Sequence, residues 1–270
     1  MKNIILFLLI FGTAMGYSQE SKKAIEAPKT KKKIVKKQRP VSIERGKFFE
    51  QDGKKMLYGG EQENQHFDIT GYTLKDEQFH YGIGRERFPA LLEPEFISVE
   101  QADSKWADST RFLLAYSGNE VKAYSIKDLT RHEIVNDILD GQPIMAAYCI
   151  LADLGAVYSR KYGENELTFA LSGYTYYDQE VWDGVDAFVL WDRETESLWW
   201  PLVGKAVSGP LQEVKLLEMD KTNWEDVQWK YIKEKYPNAM VLKSGQDFKR
   251  PTEWNKKVNV SDIKKDYSEQ

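Results

Sequence analysis

A chain of 270 residues with 38 Lys and Arg against 42 Asp and Glu, and a formal net charge of −4, is neither a polycation built for nucleic acid nor a chain too charged to fold. Its single cysteine excludes an intramolecular disulfide, and beyond the N-terminal run no stretch reaches the ~18 consecutive apolar residues of a membrane helix. The charge is unevenly placed, because residues 20–46 hold ten Lys or Arg against Glu20, Glu26 and Glu44, which leaves the remainder acidic.

In chain order, residues 1–19 read as a secretory signal. Lys2 supplies the charged start, Ile4 to Phe11 the apolar run, and Ala14-Met15-Gly16 a small-x-small pattern, with cleavage expected after Gly16 or after Gln19. No cysteine precedes Cys149, so no lipoprotein anchor is expected, and the chain is expected in the periplasm or outside the cell. Residues 20–46, with Pro28, Pro40 and few large apolar side chains, read as a disordered basic linker, either a solvated spacer or a segment that docks on an anionic envelope surface. Nucleic acid is not expected as a partner, and oligomeric state is left open. Residues 47–248 then form a single globular domain, and residues 249–270 a polar tail.

Within that domain the stretch from Lys47 to about Pro94 is irregular, with turn signals at Asp52-Gly53 and Gly59-Gly60 and a short strand-like run from His66 to Thr70. Ser98-Val99-Glu100-Gln101 matches a capping box and predicts a helix to about Ala107. Strands are predicted at 111–117 and 121–125 about Gly118-Asn119, at 156–162 and 167–176 about Gly163, and at 187–191, 198–206 and 214–219. A helix capped by Thr222 or Asn223, with Glu225 and Asp226 in its first turn and Val227, Tyr231 and Ile232 inward, ends at Pro237. Residues 239–242 form a closing strand. Many strands against few helices predict a mainly β, antiparallel α+β domain, barrel or sandwich, with a few peripheral helices.

The stretch from Arg131 to Gly155 organises the rest. Asp140-Gly141 is the dipeptide of a two-residue type I′ hairpin, which places Leu139 opposite Gln142 and, if the register runs on, His132 opposite Cys149. Directly opposed side chains have Cβ atoms about 5 Å apart, close enough to share a metal or a proton. A helical reading competes, because Ile134, Val135, Ile138 and Leu139 also share one helical face. Pro143 and the strand-like run 144–151 favour the hairpin.

A series of motifs then resembles one family in order along the chain. These are Pro89-Ala90 with Pro94-Glu95-Phe96-Ile97-Ser98-Val99, His132-Glu133-Ile134-Val135-Asn136-Asp137, Tyr148-Cys149, Leu171-Ser172-Gly173, Asp192-Arg193-Glu194-Thr195-Glu196-Ser197-Leu198-Trp199 and Gly204-Lys205-Ala206-Val207-Ser208-Gly209-Pro210-Leu211. Together they resemble domain-of-unknown-function family 3179, largely exported prokaryotic proteins. The family pattern carries a Cys-Pro-Leu-Cys type string, in some members with selenocysteine second, so the resemblance implies thiol redox or soft-metal chemistry. Here the string is Cys149-Ile150-Leu151-Ala152, and the missing second thiol removes an intramolecular dithiol cycle.

Three readings of Cys149 and His132 follow. They hold copper or zinc with a third ligand from His66, His80 or a carboxylate, or His132 activates Cys149 as a thiolate, or both are satisfied core residues. The pattern His132-Glu133-Ile134-Val135-Asn136 falls one imidazole short of a zinc-protease motif. Asp192, Glu194 and Glu196 resemble a hydrolase carboxylate pair but also suit a charged turn. The alternative function is a non-catalytic envelope module that binds its ligand on an aromatic surface of Tyr174, Tyr176, Tyr177 and Trp191 with Arg193. Core filling is the competing account of those rings.

Overall fold

The computed structural model describes residues 44–219, 223–247 and 257–268. The signal-like stretch 1–19, the basic segment up to residue 43, Thr222 and residues 248–256 lie outside the described residues. Strand β1 (Glu44–Arg45) leads into β2 (Phe48–Gln51) and β3 (Lys54–Leu57), followed by β4 (Phe67–Asp68), β5 (Phe79–Tyr81), β6 (Leu91–Leu92) and β7 (Phe96–Ser98). Helix α1 (Val99–Asp103) precedes β8 (Arg111–Ser117) and β9 (Glu120–Ser125), and α2 (Ile126–His132) runs into β10 (Ile134–Leu139) and β11 (Gln142–Cys149). Then come β12 (Leu154–Ser159), β13 (Lys161–Tyr162), β14 (Asn165–Glu166), β15 (Phe169–Tyr176), β16 (Ala187–Asp192), β17 (Leu198–Trp200) and β18 (Lys205–Ala206). The chain closes with β19 (Trp224–Gln228), α3 (Trp229–Lys235), β20 (Met240–Leu242) and α4 (Val260–Tyr267).

The fold is mainly β, with open sheets rather than a closed barrel. A six-stranded sheet runs β1-β5-β15-β16-β17-β18, a four-stranded sheet β12-β11-β10-β6, and a five-stranded sheet β19-β8-β9-β20-β7. Pairing is antiparallel except between β10 and β6 and between β20 and β9. No helix among the described residues is long and apolar enough to cross a membrane.

The four-stranded sheet is the middle layer, and the sequence of β11 shows why. Met145, Ala147 and Cys149 pack into the core shared with the six-stranded sheet, while Ile144, Ala146 and Tyr148 pack into the core shared with the five-stranded sheet. Side chains alternate across a strand, so a strand covered on both faces reads as one continuous apolar run. Pro143 sits next to the hairpin end, opposite Ile138, where its lack of an N–H does little harm. Asp140 and Gly141 take φ of 48° and 72°, and the predicted register holds from Leu139 opposite Gln142 to Ile134 opposite Ala147.

Four expectations are corrected. The helix predicted from Asn223 begins only at Trp229, because Trp224–Gln228 is drawn out as an edge strand on β8, with Val227 opposite Phe112 and Asp226 paired to Arg111. Long-range pairing outweighs a helical start signal here. The helix opened by the Ser98 capping box is formed with both reciprocal hydrogen bonds but ends at Asp103. The run 198–206 breaks at a turn beginning with Pro201, and 214–219 makes only isolated bridges. The ordered domain also extends past its expected limits. β1 pairs with β5, and in the stretch read as a polar tail α4 buries Ile263, with Val260 and Tyr267 against the same core. That i, i+3, i+7 stripe is too sparse to stand out among the surrounding lysines.

Candidate functional site

The hairpin register runs one step beyond β10, since the Tyr148 N–H donates to the Glu133 carbonyl at 2.8 Å. It stops there. Glu133, at φ 55°, is the left-handed cap of α2, and His132 therefore belongs to the last turn of the helix rather than to the strand opposite Cys149. The His132 ring has its Nδ1 2.9 Å from the Pro89 carbonyl oxygen. A left-handed residue at a helix end is the usual device for reversing the chain, and here it separates two residues that strand register alone would pair.

Cys149 is 2% exposed. Burial pushes its thiol up to about 11, the Glu133 carboxylate pushes the same way, and the backbone N–H groups of Ala152, Phe188 and Leu151 oppose them. At neutral pH Cys149 is therefore a protonated thiol and a poor nucleophile. His66 accepts the Gly59 N–H through Nδ1 at 3.2 Å, and His80 Nδ1 is paired with Asp186. Among the described residues no group of three or more His, Cys, Asp or Glu is placed to hold a metal ion, so these residues do not fit a copper or zinc centre on Cys149 and His132.

The group beside the thiol is Glu133, which sequence reasoning passed over. Burial pushes its carboxyl up to about 7, against the Ile150 N–H that favours its charged form. The folded chain thus keeps a proton that the unfolded chain releases above the ordinary value of 4.5. This contribution to stability is complete below 4.5 and is lost as pH rises through 7. Glu133→Gln is expected to be more stable than the wild type by about 3 kcal/mol at pH 8 and by much less at pH 5. Urea midpoints of both proteins at the two pH values check this; parallel pH slopes would show that Glu133 does not carry the effect.

The remaining motif residues build structure around the sheets. Asn136 bridges to Phe169 through both halves of its amide, and Asp137 accepts from Lys122 at 3.1 Å and from Tyr124 at 2.7 Å. The acidic cluster after β16 divides three ways. Asp192 accepts from Thr195 and from Trp199 Nε1 at 2.8 Å, Glu194 accepts the Thr168 N–H at 2.7 Å, and Glu196 pairs with Arg85. Burial pushes the Asp192 carboxyl up to about 7 while those donors oppose it. The cluster is a charged turn.

The aromatic surface is corrected as well. Tyr174 and Tyr176 do share a face, as strand alternation requires, but each is 1% exposed and faces the core. Tyr174 donates to the Tyr58 carbonyl at 2.6 Å, and the Tyr176 hydroxyl accepts the Lys75 N–H at 3.1 Å. Tyr177 is half-buried. The other two residues of that set, Trp191 and Arg193, come together in a cleft.

That cleft has a volume of about 960 Å³ and is lined by Tyr58, Gly59, Gly60, Arg85, Glu86, Arg87, Trp191, Arg193 and Glu196 among others. Its frame is glycine-built. The loop of residues 82–87 docks on a bulge in β15, where the Gly173 carbonyl accepts the Gly82 N–H at 2.9 Å and the Ile83 N–H at 3.2 Å, and Leu171 accepts the Glu86 N–H at 3.0 Å. On the other side the Arg85 N–H donates to the Gly59 carbonyl at 2.8 Å. A Cβ on Gly59 would lie 1.8 Å from the Gln65 carbonyl oxygen, so only glycine allows this approach.

On that frame the Arg85 guanidinium carbon lies over Trp191, 3.6 Å from the ring centroid, and 4.8 Å from that of Phe67. Such stacking orients a guanidinium while leaving its N–H edge available. Arg85 donates to Glu196 at 2.7 Å, and Arg193 donates through Nε to Glu86 at 2.8 Å. The sequence signal for these residues is Gly82-Ile83-Gly84-Arg85-Glu86-Arg87, a charged triplet preceded by two glycines inside a stretch without periodicity.

No curated protein and no solved structure matches the chain. A family model described as a protein of unknown function (DUF3179) matches residues 85–265, a span that begins at Arg85 and includes Cys149, Trp191, Arg193 and Glu196, while Tyr58, Gly59 and Gly60 on the facing wall precede it. With two-thirds of its length matched, the chain belongs to domain-of-unknown-function family 3179.

Proposed function

We propose that the chain is a non-catalytic ligand-binding module of the cell envelope, and that its site is the polar cleft between the loop of residues 82–87 and the turn after β16. The observation that carries this reading is the guanidinium of Arg85, held 3.6 Å from the Trp191 ring centroid and presented at the cleft by a backbone that docks through glycines. A pre-organised charged group in a concave site avoids the ordering cost that weakens flexible sites. The envelope location rests on the signal-like stretch 1–19. Soft-metal binding or thiol redox chemistry at Cys149 and His132 is the weaker reading, because the thiol is buried and protonated and His132 is turned towards Pro89.

The test is a thermal-shift screen of the full chain against water-soluble metabolites and oligosaccharides, repeated with Arg87→Ala. Arg87 is exposed on the cleft wall, so its loss should leave the fold intact while weakening ligands by about tenfold, the worth of one charge-assisted hydrogen bond. Hits that bind the variant as well as the wild type would place the site elsewhere, and a screen without hits would remove the reading.

A further inference from the structure

We infer that the ligand of this cleft carries a carboxylate, and that Glu196 is an internal stand-in which the ligand displaces from Arg85. The inference rests on the cleft being the binding site and adds the class of ligand it accepts.

The two partners of the Arg85–Glu196 pair are held very differently. The Arg85 side chain is 11% exposed, with its guanidinium over Trp191 and against the neighbouring Phe67 ring, whereas the Glu196 side chain is 52% exposed. Glu196 also stands on a left-handed backbone position, φ 60°, at the tip of the turn after β16. Swinging Glu196 into water costs little, since an ion pair with a solvent-exposed partner contributes little net stability. Moving Arg85 would expose Trp191 and break the stacking. The anion is therefore the exchangeable member.

The geometry of the pair leaves room for a better partner. Glu196 reaches Arg85 through one oxygen to one Nη at 2.7 Å, and the other Nη is 3.5 Å from the Asn64 carbonyl oxygen, at the limit of a hydrogen bond. A guanidinium fork is matched by a carboxylate that takes both N–H groups in parallel. A ligand carboxylate entering the cleft can adopt that arrangement, which Glu196 does not. Of the other charged residues lining the cleft, Arg193 is balanced by Glu86, while Arg87 and Glu61 are exposed and oppose each other, so Arg85 is the cation that Glu196 would release to a ligand. The acidic charge of the remaining domain disfavours extended polyanions, so the chemistry points to a small ligand with a single carboxylate, from a sugar acid or from the C-terminus of a short peptide.

Two matched pairs separate charge from shape, and the two sources from each other: D-glucuronate against D-glucuronamide, and N-acetylglycine against N-acetylglycinamide. Each is titrated into the full chain at constant ionic strength and followed by calorimetry, alongside Glu196→Gln and Arg85→Lys. At least one acid is expected to bind about tenfold or more tightly than its amide. Glu196→Gln is expected to tighten that acid by about fivefold, by removing the internal competitor, and to leave the amide unchanged. Arg85→Lys keeps the charge but loses the fork, and should weaken the acid by about tenfold. The acid that responds identifies the source. Equal affinity for acid and amide, both lost in Arg87→Ala, would overturn the carboxylate preference and leave the cleft as a site for neutral ligands. Binding of neither acid, or an acid weakened by Glu196→Gln, would overturn the inference too. Glu196 is exposed, so this arm reports even if Arg85→Lys folds poorly.

Discussion

Asn136→Ala is expected to lower the stability of the domain by about 2–4 kcal/mol without changing its architecture. Asn136 is 4% exposed on β10, on the face of the middle sheet that looks towards the six-stranded sheet. Its Nδ2 donates to the Phe169 carbonyl and its Oδ1 accepts the Phe169 N–H, both at 2.9 Å. The side chain thus stands in for a strand at the start of β15, completing backbone pairing across two layers. Alanine leaves a backbone donor and a backbone acceptor of the fully buried Phe169 without partners, and each such group costs about 1–3 kcal/mol. Asn136→Asp keeps the acceptor but loses the donor and buries a charge, so it should be no milder. Urea denaturation checks both. A midpoint shift worth less than about 1 kcal/mol for alanine would show that the two sheets do not depend on this bridge.

Gly173→Ala is expected to cost more than about 3 kcal/mol and to abolish ligand binding in the cleft as well. Gly173 has φ 81°, and a Cβ there would lie 2.1 Å from both the carbonyl carbon and the carbonyl oxygen of Gly84. Backbone stands on both sides of that clash, so no side chain can rotate out of the way. The 82–87 loop would have to leave the bulge, lose the hydrogen bonds to Gly173 and Leu171, and lift Arg85 off Trp191. Gly141→Ala is the control. Its φ of 72° is similarly unfavourable, but nothing lies within 4 Å of the added atom, so only the conformational cost of about 1 kcal/mol remains. If the two substitutions destabilise equally, the close approach of the loop to the bulge is not what builds the cleft.

The two substitutions also account for motifs that the sequence displayed without explaining. The string from His132 to Asp137 falls one imidazole short of a zinc-protease motif, and the structure uses it to end a helix at Glu133, to bridge sheets through Asn136 and to bind Lys122 and Tyr124 through Asp137. Leu171-Ser172-Gly173 is the bulge that carries the cleft loop. The string from Asp192 to Trp199 is a turn whose Asp192 holds Thr195 and Trp199 and whose Glu196 reaches Arg85. Their chemistry is directed at backbone groups and buried ion pairs more than at a substrate.

What the chain determines by itself is local. Asp140-Gly141 sets a hairpin and its register because few residues tolerate two consecutive positive φ values, Ser98 to Gln101 sets a helix start because its side chains satisfy its own orphan N–H groups, and the apolar run of β11 announces a strand buried on both faces. What tertiary structure alone decides is which of these local units meet. Sheet pairing draws residues 224–228 out of a helical start. The left-handed turn at Glu133 separates His132 from Cys149, although their register would pair them. Arg85 comes to lie on Trp191 across more than a hundred residues of chain. Those outcomes depend on contacts between segments whose separation in sequence carries no periodic signal, so the hairpins were legible from the residues and the cleft was not.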